Sequence, residues 1–381
     1  MIKKTKKVVI VGAGPIGCYL GQLLKHHGFE PLLLEEHGEI GRPVQCAGIV
    51  GRGIFEETRL PMSQKSIQNV IDGATVSYNE ESFVLNRPKV AYIIDRAVFD
   101  QELSHGLSIE FNTRFEELRQ LKEGYVLKTS NGEYYADFVV GADGPNSRVR
   151  KSGGFASDMR LYRGYQYRLE MPPRHQNMVE VSYVKPFSLF TWVIPEGKGT
   201  VRIGTICPNP FQELNSFMEK YQTNGATIIE RNAGAIPIGT CQLTNGNLAL
   251  VGDAACQIKP ITSGGIYYGL KAAELLADAI KENDLTLYEK RWREEFEREI
   301  KICLLARNIM ENMGEDVLRR VFSYVKDNVD LIEKIGDFEN HSSIFWSLVS
   351  NPRTYPTIGA LVMGMVKNPG FLMRSLLRVP K

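Results

Sequence analysis

The sequence predicts a mixed α/β fold in which a parallel-sheet domain is split along the chain, an antiparallel sheet is inserted into it, and the C-terminal region is helical. Apolar strands that end in polar turns recur at 8–11, 139–143 and 248–253. Residues 160–206 alternate apolar and polar side chains, as antiparallel strands do. Residues 285–340 carry many charges at helical spacing. The order of these patterns predicts one domain assembled from discontinuous pieces, with a sheet lying over it.

Composition narrows the class of protein. The chain has 381 residues, of which 43% are hydrophobic and 24% charged, so it can bury a sizeable core. Its net charge of +2 argues against a dedicated nucleic-acid binder. The six cysteines include no CxxC pair, so we expect neither a metal site nor a disulfide framework. The basic N-terminus runs directly into the first strand, and no stretch holds the ~18 apolar residues of a membrane span. We expect a cytoplasmic protein.

The first motif lies close to the N-terminus. Residues 8–17 read VVIVGAGPIG. Gly12 suits a tight turn, Gly14 lets the backbone approach a pyrophosphate, and Gly17 lets the following helix pack closely on the strand. The helix N-terminus offers free N–H groups and the positive end of a dipole, while Glu35 ends the next strand and suits a ribose hydroxyl. The motif predicts a Rossmann-like dinucleotide-binding unit, and the alternative is an ordinary strand–turn–helix connection.

Two later motifs repeat the pattern of a strand that ends in a polar turn. Residues 139–150 read VVGADGPNSRVR, and they place Asp143 and Ser147 before a short helix. A cofactor role and a plain Asp-Gly turn capped by Ser147 are equally open. Residues 250–255 read LVGDAA, and Asp253 suits a ribityl or ribose hydroxyl. Gly264 and Gly265 then open a long helix, either as a phosphate or flavin contact or as a flexible cap.

The remaining elements follow from local periodicity. The sequence predicts helices over 15–28, 210–223 and 264–282, and another after Asp95 and Arg96. It predicts strands at 8–11, 31–35, 74–78, 82–85, 91–94, 108–112, 124–129, 134–140, 166–171, 178–184, 189–194, 200–206 and 248–253.

The three motifs, in this order, resemble the flavoprotein hydroxylase superfamily, which binds FAD through one split domain. Residues 41–48 (GRPVQCAG) after Ile40 are similar to the geranylgeranyl reductase family, particularly the archaeal enzymes of membrane-lipid saturation. So are Asp95-Arg96 with Phe99-Asp100, and the segment FTWVIP at 190–195. The sequence departs from that family at three positions: Ile194 replaces an aromatic residue, Ile206 replaces a second glycine, and Ser263 replaces a third glycine.

The resemblance implies a set of site residues. Those implied for FAD are Gly12, Gly14, Pro15, Gly17, Glu35, Cys46, Ala47, Gly48, Arg96, Phe115, Asp253, Gly264, Gly265 and Ile266. Those implied for the substrate are Phe190, Trp192, Pro195 and Gly204. Cys46 and an ordered water are the candidates for a catalytic proton donor. The structural alternatives are a surface salt bridge for Arg96, a small buried hydrophobe for Cys46 and a core aromatic for Trp192.

The resemblance also implies a reaction. We expect an FAD-dependent reductase that saturates C=C bonds of geranylgeranyl chains of ether lipids by hydride transfer from reduced flavin. There is no second GxGxxG unit, so the reductant would be a transient one, NAD(P)H or ferredoxin. The alternatives are a class A flavin monooxygenase, a flavin-dependent halogenase, which has a Trp-x-Trp-x-Ile-Pro segment, and a non-enzymatic flavin- or lipid-binding module.

These patterns divide the chain into three parts. We expect the FAD-binding domain at 1–67, 88–155 and 241–290, the antiparallel-sheet substrate domain at 68–87 and 156–240, and a helical region at 291–381. Residues 340–381 contain no Asp or Glu and interleave basic with apolar side chains. Such a segment favours binding to the inner face of a membrane, and the alternatives are packing on the body or a dimer contact.

Overall fold

The computed structural model describes residues 6–184, 189–223, 225–312, 314–344 and 346. Nearly all of the basic and apolar tail that the sequence predicts to bind membranes lies outside these residues. The described strands are β1 (Val8–Val11), β2 (Leu32–Leu34), β3 (Ile49–Gly51), β4 (Ile67–Tyr78), β5 (Glu81–Ile94), β6 (Ser108–Glu110), β7 (Phe115–Gln120), β8 (Tyr125–Thr129), β9 (Gly132–Ala136), β10 (Phe138–Gly141), β11 (Ser157–Glu170), β12 (Met178–Val184), β13 (Leu189–Gly197), β14 (Thr200–Ile206), β15 (Thr227–Cys241), β16 (Thr244–Asn245) and β17 (Leu248–Leu250).

The described helices follow the same chain order. They are α1 (Pro15–His26), α2 (Gly53–Glu56), α3 (Arg96–Ser104), α4 (Arg148–Ser152), α5 (Pro210–Tyr221), α6 (Ile266–Glu282), α7 (Thr286–Trp292), α8 (Arg298–Asn312), α9 (Glu315–Asp327) and α10 (Val329–Ile335). A short 3₁₀ helix at Gly252–Ala255 follows β17, and a π-helical turn joins α7 to α8. No helix among the described residues is both long enough and apolar enough to cross a lipid bilayer.

A six-stranded sheet carries the first, second and third motifs. Its order is β16-β17-β10-β1-β2-β6, and all neighbours are parallel except β16 and β17. Both β1 and β10 are buried along their whole length, which explains their uninterrupted apolar sequences. Because these strands are parallel, the turns after β1, β10 and β17 emerge at one edge of the sheet.

An eight-stranded sheet forms the second layer. Its order is β15-β11-β14-β13-β12-β4-β5-β3, and β12 and β4 are its parallel pair. Helix α9 packs on this sheet through Leu318 and Phe322, which contact Val76 and Tyr78 in an apolar cluster. A separate three-stranded sheet, β7-β8-β9, completes the fold.

Two examples show how the structure departs from the strands that the sequence predicts. The predicted short strands at 82–85 and 91–94 form one strand, β5, which belongs to the eight-stranded sheet. Strand β15 is not among the predicted strands, although it pairs with β11 over most of its length. The proposed domain boundaries remain a prediction.

Candidate functional site

A cavity of about 1030 Å³ lies between the two larger sheets. One half is lined by the three polar turns at the edge of the parallel sheet. The other half is lined by apolar side chains of the eight-stranded sheet, among them Ile71, Val179, Val181, Phe190 and Trp192. Ligand cavities usually occupy about 300–1,000 Å³, so this one has room for a large ligand or two.

The first glycine motif forms the turn that its spacing predicts. Gly12 has a φ of +101°, and a Cβ there would overlap the carbonyl of Ala142. A Cβ on Gly17 would overlap the Gly12 carbonyl, so this residue permits the close packing of α1 on β1. A Cβ on Gly14 would meet no atom within 4 Å, and Gly14 lines the cavity. Helix α1 begins at Pro15 with its N-terminus at the cavity.

Glu35 links this turn to the end of β2. Its Oε2 accepts a hydrogen bond from the Ala13 N–H at 2.8 Å. Its Oε1 accepts the backbone N–H of His37 at 3.0 Å and lies 2.7 Å from the Nδ1 of the same residue. These bonds hold the carboxylate at the cavity wall, where the sequence predicts a ribose contact.

The polar groups of the second motif form hydrogen bonds with one another. The Asp143 carboxylate accepts the Ser147 hydroxyl at 2.6 Å and the backbone N–H groups of Arg148 and Val149 at 2.7 and 3.0 Å. Ser147 in turn accepts the N–H of Arg150 and caps α4. Asp143 also lines the cavity, so its capping role and a cofactor contact can coexist.

The third motif brings an acid beside the glycine pair. Asp253 lies in the 3₁₀ helix after β17, and its Oδ1 is 2.9 Å from the position of a Cβ on Gly265. Burial raises the pKa of Asp253 to about 6, and the nearby Arg96 opposes this rise. The Asp253 side chain makes no hydrogen bond to another described residue, so its oxygens remain available to a ligand.

Arg96 is half-buried at the start of α3 and makes two hydrogen bonds to one carboxylate. Its guanidinium donates to the two carboxylate oxygens of Asp100 at 3.0 and 2.9 Å. Burial disfavours its charge, but the charge of Asp100 and the nearby Cys46 side chain hold its pKa above the ordinary value. Arg96 does form a salt bridge, but it lies at the cavity wall with side chains 13% and 6% exposed, so it is not the surface salt bridge of the alternative interpretation.

The Cys46 segment has no regular structure and is held by side chains of the eight-stranded sheet. Gln166 donates to the Cys46 carbonyl at 3.3 Å, Arg202 donates to the Ala47 carbonyl at 2.7 Å, and Asn232 donates to the Val44 carbonyl. A substituent on Gly48 would overlap the Arg202 guanidinium. The half-buried Cys46 is thereby fixed between the polar and apolar halves of the cavity.

The predicted substrate residues lie on adjacent strands. Phe190 and Trp192 of β13 both line the cavity, with ring centres 5.9 Å apart. The Trp192 indole N–H donates to Gln166 Oε1 at 2.9 Å, which connects the aromatic wall to the Cys46 segment. Gly204 of β14 pairs with Trp192, and a Cβ there would overlap the indole ring.

Most predicted site residues meet at the cavity. Those that line it are Gly12, Gly14, Pro15, Glu35, Cys46, Ala47, Arg96, Phe115, Phe190, Trp192, Asp253, Gly264, Gly265 and Ile266. Four predicted residues are not among its lining residues, namely Gly17, Gly48, Pro195 and Gly204. Sequence patterns missed Gln166, Lys259 and Glu339, which also line it. No local motif marks these three, since their partners lie far away along the chain.

The arrangement fits a dinucleotide such as FAD. Open space at Gly14 and the N-terminus of α1 suit a pyrophosphate. Glu35 and Asp253 are oxygen acceptors that suit sugar or ribityl hydroxyls. The turns that carry these groups all face one cavity.

Comparisons with known proteins agree with this geometry. Residues 5–209 match the model of a family described as FAD binding domain. An uncharacterized protein of Methanocaldococcus jannaschii is 31% identical over 88% of this chain and 93% of its own length. A digeranylgeranylglycerophospholipid reductase of Methanosarcina acetivorans is 28% identical over 91% of this chain and 96% of its own length.

A solved structure supports the fold. The crystal structure of a geranylgeranyl bacteriochlorophyll reductase-like protein from Thermoplasma acidophilum aligns with a TM-score of 0.81 and 22% identity. The alignment covers 94% of this chain and 99% of that one. The chain therefore belongs to the FAD binding domain family, and its predicted resemblance to geranylgeranyl reductases is confirmed.

Proposed function

We propose that this protein is an FAD-dependent reductase that saturates C=C bonds of isoprenoid chains, with geranylgeranyl ether lipids as the substrate class. The observation that carries this proposal is the continuity of the cavity. Its polar half suits FAD, and its apolar half, lined by β4, β12 and β13, suits a hydrocarbon chain. An apolar chamber beside a flavin site suits reduction of an isolated double bond, since the substrate offers few polar groups to bind.

The residues of the polar half hold the cofactor. The N–H groups at the start of α1 bind the pyrophosphate, Glu35 accepts a ribose hydroxyl, and Asp253 accepts a ribityl or ribose hydroxyl. The Cys46 segment and the Gly264–Gly265 pair approach the flavin ring. When bound and reduced, FAD supplies the hydride that is added to one carbon of the double bond.

The residues of the apolar half hold the isoprenoid chain and supply the proton that completes the reduction of the double bond. Phe190 and Trp192 form one wall against which the isoprenoid packs, and Gln166 fixes the indole through its N–H. Cys46 lies where the two halves meet and is our candidate for the proton added to the second carbon.

Two finer features belong to the same proposal. The reductant is NAD(P)H or ferredoxin, acting transiently, since the chain has one glycine motif for a dinucleotide. The basic and apolar tail brings the protein to the inner membrane face, where its lipid substrate resides. The FAD domain at 1–67, 88–155 and 241–290 and the substrate domain at 68–87 and 156–240 then meet at the cavity.

Anaerobic reoxidation of reduced FAD tests the proposal. The FAD-loaded protein is reduced with dithionite in a sealed cell, and a geranylgeranyl ether lipid is added in detergent. Return of the oxidised flavin absorbance without oxygen supports reduction of the lipid. No return with the unsaturated lipid, but rapid return with oxygen and an aromatic or apolar substrate, contradicts it and favours a monooxygenase. A fully saturated lipid is the matched control.

A further inference from the structure

A buried ion pair lies at the wall of the cavity. The Lys259 ammonium lies 2.8 Å from Glu339 Oε2, and their side chains are 5% and 3% exposed. It also donates to the Phe338 carbonyl at 2.9 Å. Both charged residues line the cavity. Burying such a pair costs desolvation energy that its attraction often fails to offset, so its presence calls for an explanation beyond stability.

Lys259 presents its charge to the glycine pair. It lies in the turn before α6, and its backbone N–H donates to the Gly264 carbonyl at 3.0 Å. A Cβ on Gly264 would lie 3.1 Å from Lys259 Cε and 3.7 Å from its Nζ. The ammonium donates to Glu339 and to the Phe338 carbonyl and lies 4.6 Å from the centre of the Phe338 ring, and these contacts hold its charge beside Gly264. The N-terminus of α6 adds positive potential at the same place.

The Glu339 carboxylate lies against Gly51 and Gly53, whereas Lys259 lies against Gly264. Its Oε1 is buried and accepts no hydrogen bond from the described residues. A Cβ on Gly51 would overlap this oxygen, and one on Gly53 would lie 3.3 Å from it. Lys259 and Glu339 thus form a dipole whose positive end faces Gly264 and whose negative end lies against the segment after the Cys46 turn.

The neighbouring titratable groups leave Lys259 as the cation of this cluster. Burial and the Lys259 charge lower the pKa of His341 to about 3, so this imidazole is neutral. Asp337 and Glu57 lie on the Glu339 side, where they and burial raise the Glu339 pKa against the effect of Lys259. The Tyr267 hydroxyl donates to Glu57.

We propose that Lys259 stabilises reduced FAD by placing its positive charge beside the flavin ring, and that Glu339 moderates this effect by partly neutralising the charge. Reduction adds electrons to the ring, so a fixed cation beside it favours the reduced form. Lys259 acts on the cofactor directly, and Glu339 is a positioning residue that acts through Lys259. The inference rests on the FAD part of the proposed function and is independent of the lipid.

The reduction potential of bound FAD tests this directly. The holoprotein is titrated against a reference dye under anaerobic conditions. In K259M we expect the ratio of reduced to oxidised FAD at a fixed ambient potential to fall at least about tenfold, a shift of about 30 mV to more negative values for a two-electron couple. In E339Q we expect a shift to less negative values. K259R keeps the charge and should restore a potential near that of the native protein.

Controls separate this effect from structural damage. Lys290 forms an exposed pair with Glu294 remote from the cavity lining, so K290M should leave the potential unchanged. Unchanged potentials in both K259M and E339Q, or shifts in the same direction, overturn the proposal. If K259M does not retain FAD, the reduction potential of E339Q alone tests the proposal. A potential in E339Q that is unchanged or more negative than that of the native protein then overturns the proposal. If K259M and E339Q shift the FAD reduction potential as expected but the native protein does not reduce the lipid, only the proposed function is contradicted.

Discussion

At the scale of single residues, the Trp192 indole lies directly against Gly204 on the neighbouring strand. The sequence pairs these two residues as substrate contacts, whereas in the structure only Trp192 lines the cavity. Gly204 leaves the space that the ring occupies. Its effect on a substrate would therefore act through the position of the indole.

Substitution of Gly204 tests that relation. In G204A the added methyl group would overlap the indole, so we expect overpacking to lower the free energy of unfolding by about 1–3 kcal/mol. Gly164, on the strand beside β14, is the matched control, because a Cβ there meets its nearest atom at 3.5 Å. Urea unfolding of both variants measures the difference. Equal stability of G204A and G164A would contradict the assignment.

Asp253 gives a prediction about pH. Its pKa is raised from 3.8 to about 6 in the folded protein, so the folded state holds this proton more tightly than the unfolded state. The free energy of unfolding therefore falls as the pH rises from 3.8 to about 6, and the full loss is present above about pH 6. We expect the FAD-free D253N variant to gain about 1 kcal/mol relative to the native protein between pH 5 and pH 7.

Urea unfolding at the two pH values checks this prediction. Asp158 is an exposed residue, so D158N is the control and should follow the native pH dependence. A D253N variant with the native pH dependence would show that Asp253 ionises normally. Weaker FAD binding by D253N, measured by fluorescence, would separately support its contact with the cofactor.

Sequence patterns identify residues with a local signature better than residues that act at a distance. The tight turn predicted at Gly12 and the close helix packing predicted at Gly17 are present in the structure, because the turn imposes its demands within a few positions. Gln166 and Lys259 could not be predicted, since one contacts Cys46 across 120 residues and the other contacts Glu339 across 80. Such contacts arise only when the two sheets and the C-terminal segment come together.

At the scale of elements, the turn from β1 to α1 contains two glycines with different roles. Gly12 is required by the fold, because its backbone is left-handed and its neighbour is close. Gly14 has open space in front of it, which the chain itself does not fill. The two glycines should therefore respond differently to the same substitution.

A pair of alanine variants tests this separation. We expect G12A to lose about 2–4 kcal/mol of folding free energy through backbone strain and steric overlap. We expect G14A to keep native stability and to bind FAD about 10–100-fold more weakly, because the methyl group occupies the pyrophosphate position. Thermal unfolding without FAD and FAD titration provide the two readouts. Native FAD affinity in G14A would place the pyrophosphate elsewhere.

Strand β15 shows where element prediction fails. It contains Pro237 and two glycines, which normally argue against a strand. In the structure β15 lies at the edge of the eight-stranded sheet, and among the described strands its neighbour is β11. An edge strand tolerates proline, because one row of its backbone groups needs no partner. Its position in the sheet, which local sequence does not reveal, therefore decides its conformation.

At the scale of the whole molecule, function depends on the meeting of two layers. The parallel sheet supplies the turns of the polar half, and the eight-stranded sheet supplies the apolar half and the side chains that hold the Cys46 segment. The sequence order of the motifs predicts this split arrangement. The continuity of the two halves is visible only in three dimensions.

Mass spectrometry of a lipid product tests the central claim most directly. The FAD-loaded protein is reduced with dithionite and incubated anaerobically with a geranylgeranyl ether lipid. The lipid is then extracted, and its molecular mass is measured. We predict mass gains in steps of two hydrogen atoms. These gains should be lost without FAD and strongly reduced in W192A, which removes the aromatic wall. An unchanged lipid mass in the presence of fully reduced, bound FAD would contradict the account.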